Sequence, residues 1–428
     1  MLRVVRVQLK NVRCFRELDV ELPRSGGGWT MFVGDNATGK SALLRSIAMG
    51  LCDEASAAGL LKESDEGYIR RGSHSATITI HLRDDENPRR DFKIHTEIRR
   101  SWKGQKRIFR DLVRQRTSPA REDFPWNELF VSGYGAGRGV SGAGDISSYS
   151  VIDAVYNMFN YLEGLQNPEL TIRRLRDRRN GKAIERRSIL TALAQFSQVA
   201  NVRLTTQGVL VDGPWGKGMP LRDLADGYRA AFIWVADLIG WALTFKPSLR
   251  GTQGIRGIVL IDEIEEHLHA RWQRRAIGDL RQLFPNVQFI ATTHSPLIAA
   301  SIGEPKLAQS KDALFVLEGV AKGGVTAASH EFMIGWSMDQ VLASRAFKYQ
   351  MPTSSEYDDA LRVASALLYK RRRTPEEEHV LRNMTERVND ARLIGISPVE
   401  RRAETIDEAH VSDQIAGLEE KLFPDEQR

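Results

Sequence analysis

The stretch Gly34-Asp35-Asn36-Ala37-Thr38-Gly39-Lys40-Ser41 matches the pattern G-x-x-x-x-G-K-[ST] and decides the fold class of this 428-residue chain. An aliphatic strand is predicted before it, from Trp29 to Val33, and a helix after it, from Ser41. In that setting the glycines turn backbone N–H groups toward phosphates, and the helix N-terminus adds its positive dipole end. The pattern therefore predicts a triphosphate site in which Lys40 reaches the β- and γ-phosphates and the Ser41 hydroxyl binds Mg²⁺.

A second predicted strand ends in two carboxylates. Ile258-Val259-Leu260-Ile261 is followed directly by Asp262-Glu263. Ligands collect at the carboxyl ends of strands in parallel α/β sheets, where Asp262 suits Mg²⁺ and Glu263 suits the polarisation of an attacking water. The alternative is that the two acids only cap the next helix.

Two further segments suit phosphate chemistry. His294 follows the predicted strand Val287 to Ala291, where its imidazole would donate a hydrogen bond to a γ-phosphate; the alternative is a structural histidine. Ala225, Asp226 and Gly227 open a predicted helix that runs to Thr244. A glycine at a helix N-terminus is a second anion site, and one chain needs only one for its own ATP. We therefore expect this end to face the ATP of a second copy, the alternative being an ordinary helix with Asp226 as its cap.

The remaining pattern predicts an α/β fold with a mixed β-sheet lobe and a parallel core sheet flanked by helices. Short strands are expected at 5–9, 18–22, 77–82, 91–98 and 313–317, helices at 149–179 and 183–199, and a hairpin strand at 202–211. We predict one nucleotide-binding domain over 1–340, with a helical lobe inserted at about 140–250. A helical C-terminal region for partner binding is predicted over 341–428.

Composition and charge narrow the class of protein. The N-terminus lacks the apolar core of a secretory signal, no apolar stretch is long enough to span a bilayer, and Cys14 and Cys52 are the only cysteines. We therefore expect a cytoplasmic protein without a membrane partner. Arg99–Arg121 holds nine basic residues against Asp111 alone, and Arg173–Arg187 holds eight against two acids. These segments predict either a track for a DNA backbone or ordinary solvated faces.

Taken together, these segments resemble the ABC-type ATPases of the SMC, RecF and OLD branch in the order of their motifs. A narrower resemblance is to the short single-chain ATPases of bacterial phage-defence systems, such as the Septu type. The narrower resemblance is carried by 134–138, 262–269, 271–274, 284–289 and 292–296, whereas 11–15 resembles the N-terminal strand and turn of the wider branch.

The resemblance implies roles for individual residues. Glu263 would be the hydrolytic base, His294 the switch histidine and Arg13 a nucleotide-binding residue, with the loop 266–269 crossing a homodimer. Ala225 to Gly227 would touch the γ-phosphate of the partner's ATP. The family usually has Ser where Ala225 stands, so a hydroxyl contact is lost and slow hydrolysis is implied.

Three functions remain open at this point. The first is an ATPase subunit of an antiviral defence complex that controls a separately encoded nuclease or toxin. It is favoured because the residues after His294 contain no Asp-x-Asp pair of the kind that a metal nuclease would need. The second is a RecF-like repair ATPase that clamps duplex DNA, and the third is a scaffold that binds ATP without hydrolysing it.

Overall fold

The computed structural model describes residues 1–24, 27–63, 67–87, 89–103, 108–138, 148–160, 164–177, 183–205, 208–303, 312–320, 324–347, 374–375 and 378–383. The strands are β1 (Leu2–Val12), β2 (Phe15–Glu21), β3 (Trp29–Gly34), β4 (Ser75–Asp84), β5 (Asp91–Lys103), β6 (Ile108–Ser118), β7 (Val131–Tyr134), β8 (Asn201–Thr205), β9 (Gly208–Gly213), β10 (Gly216–Pro220), β11 (Gly257–Ile261), β12 (Val287–Thr292), β13 (Ala313–Val320) and β14 (Gly324–His330). The α-helices are α1 (Lys40–Leu51), α2 (Glu54–Glu63), α3 (Val151–Val155), α4 (Pro168–Asp177), α5 (Ala183–Phe196), α6 (Asp226–Phe245), α7 (Ala270–Leu283), α8 (Pro296–Ala300) and α9 (Met338–Ala343).

The opening strands form one edge of an antiparallel sheet with the order β2-β1-β4-β5-β6. The strands predicted at 5–9 and 18–22 correspond to β1 and β2, which pair antiparallel with Val7 opposite Val20. Helix α1 packs on this sheet at close range. A Cβ on Gly50 would lie 2.7 Å from Cγ1 of Ile80, so the contact requires glycine.

The central sheet has the order β14-β13-β3-β12-β11-β7, and only β14 runs antiparallel to its neighbour. Apart from the half-buried Gly34, its strands β3, β11 and β12 are buried throughout, as expected for strands that are covered on both faces. The strand before the glycine-rich loop, β3, and the strand before Asp262, β11, both pair with β12. Because the pairing is parallel, the three carboxyl ends meet at one edge of the sheet. The predicted α/β fold with a mixed sheet lobe and a parallel core sheet is confirmed.

A helical lobe with its own small sheet follows β7. The sheet has the order β10-β9-β8, and helices α3 to α6 belong to the same part of the chain. The long helix predicted over 149–179 is wrong, because α3 gives way to a short 3₁₀ turn and α4 begins only at Pro168. At Gln166 the backbone N–H donates to Asp237 of α6 (2.9 Å) instead of to a helical carbonyl. Proline at the first position of a helix then suits a new start, since it has no N–H to leave unpaired.

Strand β6 was not predicted, although it pairs with β5 along its whole length. Basic side chains at Arg114 and Arg116 alternate with the half-buried Val113 and Gln115, so the inward face lacks the aliphatic run that identifies a strand.

Residues Met1–Tyr349 form one compact unit and Gln350–Arg428 a second. In the second unit the structure describes only a few residues, of which 378–383 are helical, so most of the predicted C-terminal helical region lies outside the described residues. In the part of the chain that the structure describes, no helix is both long enough and apolar enough to cross a membrane.

Candidate functional site

The glycine-rich loop begins where β3 ends and closes onto the first turn of α1. Gly34, Ala37 and Gly39 have φ angles of +153°, +64° and +88°. At Gly39 a Cβ would lie 2.3 Å from the Sγ of Cys14, so this position combines a left-handed backbone with a close approach to the β1–β2 turn. The Thr38 hydroxyl donates to the Asp35 carbonyl (2.8 Å) and fixes the loop between the two glycines.

Lys40 is the first residue of α1, and its side chain is 5% exposed. Its ammonium donates to the carbonyls of Gly34 (2.8 Å) and Asp35 (2.9 Å), so the charge lies inside the curve of the loop. Burial lowers the pKa of Lys40, and the carboxylates nearby oppose that shift. These carboxylates are Asp262, Glu263, Glu265 and Asp35.

The turn after β11 is organised by one hydroxyl. Thr292, at the end of β12, donates to the Asp262 carboxylate (2.6 Å) and accepts from the Glu263 N–H (2.8 Å). Asp262 is 2% exposed, and Glu263 has a φ of +48°, a left-handed conformation that is costly for a residue with a side chain. Burial and the neighbouring acids, Asp262 first among them, raise the pKa of the Glu263 carboxyl, and Lys40 opposes the shift.

His294 follows β12 and is anchored by Glu265. The carboxylate of Glu265 accepts from the His294 backbone N–H and from the Thr293 hydroxyl (2.6 Å). Burial and the positive charge of Lys40 lower the pKa of the His294 imidazole, so the neutral ring predominates at neutral pH. A neutral imidazole keeps one N–H with which it can donate to an anion.

The structure brings Lys40, Asp262, Glu263 and His294 to the same edge of the central sheet. The charges of Asp262 and Asp35 act on both Lys40 and His294, which places these groups within one electrostatic neighbourhood. The alternative in which the two acids cap the next helix is wrong, because α7 begins at Ala270 with His269 as its N-cap.

The helix at Gly227 begins close to the predicted position. Ala225 is the N-cap of α6 and provides no side-chain hydrogen bond, so the alternative in which Asp226 is the cap is wrong. A Cβ on Gly227 would lie 3.2 Å from the His267 carbonyl, which places this helix end against the loop that follows Glu263. Tyr228 fixes the first turn through an edge contact with Trp272 of α7 (ring centroids 4.8 Å apart).

The roles of the predicted site residues remain predictions, those of the metal ligands and of Arg13 among them. Ser41 is the second residue of α1, and Mg²⁺ in such sites takes one or two protein oxygens and completes its shell with phosphate and water, which the Ser41 hydroxyl and the Asp262 carboxylate fit. Within the described residues no group of three or more His, Cys, Asp or Glu side chains is placed to hold a metal ion by itself. Arg13 lies in the β1–β2 turn with its guanidinium 4.7 Å from the centre of the Tyr68 ring.

Sequence reasoning missed three residues that build this site: Thr292, Glu265 and Arg138. Arg138 lies four residues beyond the end of β7, and its Nη2 donates to the carbonyls of Asp262 (2.6 Å) and Glu263 (2.7 Å). In the sequence, the run from Tyr134 to Arg138 contributes only to a family resemblance. Its role depends on contacts between segments more than 100 residues apart.

Over much of its length the chain is similar to known proteins. Over 301 residues the chain is 25% identical to the Septu protein PtuA of Bacillus mycoides, which covers 69% of this chain and 38% of that protein. Over 87 residues it is 38% identical to the retron Vc95 probable ATPase of Vibrio cholerae, which covers 20% of this chain and 17% of that one. The chain thus spans well under half the length of these relatives.

Among solved structures, the SMC head domain from Thermotoga maritima aligns with 77% of this chain and 99% of its own, at 14% identity and a TM-score of 0.43. A family model matches residues 30–300, which include the glycine-rich loop, the Asp262-Glu263 turn and His294. The resemblance to Septu-type ATPases is confirmed, and the chain belongs to the family described as "AAA domain, putative AbiEii toxin, Type IV TA system".

Proposed function

We propose that this chain binds and hydrolyses MgATP at the edge of the central sheet, as the ATPase subunit of an antiviral defence complex. In this proposal two copies close around ATP and control a separately encoded nuclease or toxin. The observation that carries the proposal is the convergence of Lys40, Asp262, Glu263 and His294 at three adjacent strand ends. The family match and the PtuA and retron relatives support it.

Each residue of the site has a separate role in the proposed hydrolysis. The loop N–H groups and Lys40 bind the β- and γ-phosphates, and Ser41 and Asp262 hold Mg²⁺, which neutralises charge that develops on the phosphates. Glu263 orients the attacking water and accepts its proton, a task favoured by the raised pKa of its carboxyl. His294 donates its remaining N–H to the γ-phosphate.

The decisive experiment compares ATP turnover of the wild type with that of Glu263→Gln. Loss of the base is expected to lower kcat by about 10²–10⁴-fold and to leave ATP binding nearly unchanged. The matched control is Glu17→Gln, which makes the same chemical change on an exposed position of β2. If turnover survives Glu263→Gln, Glu263 is not the base; if the wild type has no turnover, the third candidate, an ATP-gated scaffold, replaces this proposal.

Dimer formation is tested separately with the same variant. If the α6 end of one copy closes over the ATP of the other, Glu263→Gln should be dimeric with MgATP and monomeric with MgADP, as measured by light scattering on a sizing column. A mass that does not respond to the nucleotide would contradict ATP-dependent closure.

Control of an effector is the part that rests most on the relatives. The experiment is co-expression of the full chain with the proteins encoded by its neighbouring genes, followed by purification on a tag carried by this chain. A nuclease or toxin that co-purifies in an ATP-dependent manner supports the proposal. A chain that always purifies alone removes the defence-complex part and leaves the ATPase part standing.

DNA binding is the second candidate, favoured by the exposed face of the antiparallel sheet. Lys93 and Arg99 of β5 and Arg114 and Arg116 of β6 are exposed on that face, where Glu97 is the one acid between them and pairs with Arg99. In the predicted basic segment Arg99–Arg121, residues 99–103 pair antiparallel with 108–112, and 104–107 lie outside the described structure. Of the other segment, Arg173–Arg187, residues 178–182 lie outside the described structure.

The test for this candidate is binding to duplex DNA over a range of salt concentrations. An affinity that falls steeply with salt, tightens with ATP and weakens in Arg114→Ala/Arg116→Ala would favour a repair-type clamp. The control is the exposed pair Lys246→Ala/Arg250→Ala, which follows α6. Absence of binding at low salt removes this candidate.

A further inference from the structure

Arg138 is a buried cation that the chemistry proposed above does not use. Its side chain is 3% exposed, and it donates from Nε to the Gly135 carbonyl (3.1 Å) and from Nη2 to the carbonyls of Asp262 and Glu263. Each of these acceptors is a backbone carbonyl, and among the described residues Nη1 has no hydrogen-bond partner. A guanidinium held this way is expensive to bury, so its position calls for a reason beyond charge pairing.

The reason lies in the turn that Arg138 contacts. The two carbonyls that share Nη2 belong to consecutive residues, and the second of them, Glu263, has a φ of +48°. A backbone in this region persists only where its surroundings hold it. On one side the Thr292 hydroxyl holds the Glu263 N–H, and on the other Arg138 holds the carbonyls. Together they fix the direction in which the Glu263 side chain leaves the backbone.

Arg138 is itself held firmly by the loop that carries it. Asn157 accepts from the Gly135 N–H (2.9 Å) and donates to the Gly137 carbonyl (2.8 Å). A Cβ on Gly135 would lie 2.7 Å from the Asn157 carbonyl oxygen, so the loop is packed against that residue. The guanidinium carbon lies 6.0 Å from the ring centre of Trp234 in α6. A side chain with this support can impose a position on a neighbour.

We propose that Arg138 is a positioning residue that aims the Glu263 carboxylate by holding the carbonyls of Asp262 and Glu263. Its expected effect on turnover rests on the proposed ATPase function, whereas its effect on the turn does not. Burial lowers the pKa of Arg138 to about 10, and the acids of the turn, Asp262 first, oppose the shift, so the side chain stays charged at neutral pH.

The first experiment measures ATP turnover of Arg138→Met and Arg138→Lys. Methionine fills similar volume without donors, and it should lower kcat by about 10–100-fold, the usual range for a residue that orients a ligand or base, with KM within about threefold. Lysine keeps a cation that can reach one carbonyl and should recover part of the loss. The control is Arg24→Met, an exposed arginine that pairs with Glu21 at the end of β2.

The second experiment reports on the turn without any turnover. Hydrogen exchange of the nucleotide-free protein should become faster over residues 262–266 in Arg138→Met, and remain unchanged there in Arg24→Met. Faster exchange in a protein that never hydrolyses ATP would support the positioning role and refute the proposed ATPase. Normal exchange and normal kcat in Arg138→Met, with Glu263→Gln inactive, would overturn the positioning role alone.

If Arg138 only stabilised the fold, the expected results would differ. Arg138→Met would then lower the melting temperature and weaken ATP binding together with kcat, and Arg138→Lys would recover none of the loss. Should Arg138→Met fail to fold, the kcat-to-KM split and the exchange of residues 262–266 in Arg138→Lys decide between the two.

Discussion

Two helix N-termini in this chain look alike in sequence, each opened by glycine, but their surroundings differ. The start of α1 is a closed site, in which Lys40 lies among carboxylates contributed by the loop and the turn after β11. The start of α6 has Ala225 as its N-cap without a side-chain hydrogen bond, and Gly227 lies against the His267 carbonyl. The first end carries its own buried cation beside the acids of the turn after β11, whereas the second has Arg229 near its start, where that residue lines a cavity with His267.

This difference teaches how the two ends divide the proposed reaction. A cation and a base belong where the phosphates are bound and the water attacks, and α1 has both within reach. Backbone donors at a helix start, with an arginine nearby, can complete a phosphate site that the lysine and acids of another copy build. We therefore assign α1 to the chain's own ATP and α6 to the ATP of a second copy, as the proposed dimer requires.

The largest effect on ATP binding is expected at the start of α1, from Lys40→Ala. The variant removes a charge-assisted contact to phosphate of about 1.5–3 kcal/mol, so the Kd for MgATP should rise by about 10–150-fold. Titration calorimetry measures this, with Lys62→Ala on the exposed end of α2 as the control. Unchanged affinity would mean that ATP binds somewhere other than at α1.

The next effect concerns the hydroxyl that joins the two acids of the site. Thr292→Val keeps the shape of the side chain but leaves the Glu263 N–H and the Asp262 carboxylate without that partner. We expect stability to fall by about 1–3 kcal/mol and kcat by about 10–100-fold. Thr326→Val, at an exposed position of β14, is the control in chemical denaturation and turnover assays. Wild-type kcat in the variant would show that the turn does not need Thr292.

The loop before α1 and the acidic pair after β11 could be predicted from sequence because each motif is local. The loop from Gly34 to Ser41 and the pair Asp262-Glu263 carry their chemistry within a few residues, and the order of strands only had to bring them together. Arg138 and Thr292 could not be identified this way, since their roles depend on which strands β11 has as neighbours.

The broken helix before α4 illustrates the same limit. Asp237 accepts the Gln166 N–H across 71 residues, and the pattern of residues 149–179 contains no trace of that partner. Tertiary contacts of this kind override local helix propensity.

A pH profile of ATP hydrolysis tests whether Glu263 acts as the base. The pH dependence of kcat/KM reports the pKa values of the essential groups in the free enzyme. Because the pKa of Glu263 is raised, the base is lost by protonation as pH falls, and the acid limb should lie above the usual glutamate value of about 4.3. Below that limb kcat/KM should fall about tenfold per pH unit. The limb should be missing from the residual activity of Glu263→Gln, and a limb that persists there would belong to another group.

The smallest effect, and the one that most sharpens the comparison, is expected at the start of α6. Serine and aspartate are both good N-caps, so Ala225→Ser and Ala225→Asp should each stabilise the chain by about 0.5–2 kcal/mol.

Only the serine hydroxyl suits a neighbouring phosphate, whereas a carboxylate repels it. If the partner's γ-phosphate reaches this helix end, Ala225→Ser should raise kcat by a few-fold, since even a neutral hydrogen bond adds about 0.5–1.5 kcal/mol. Ala225→Asp should lower kcat and weaken the ATP-dependent dimer. Equal changes in kcat for the two variants would mean that they act through helix stability alone, and α6 would then have no part in the second ATP site.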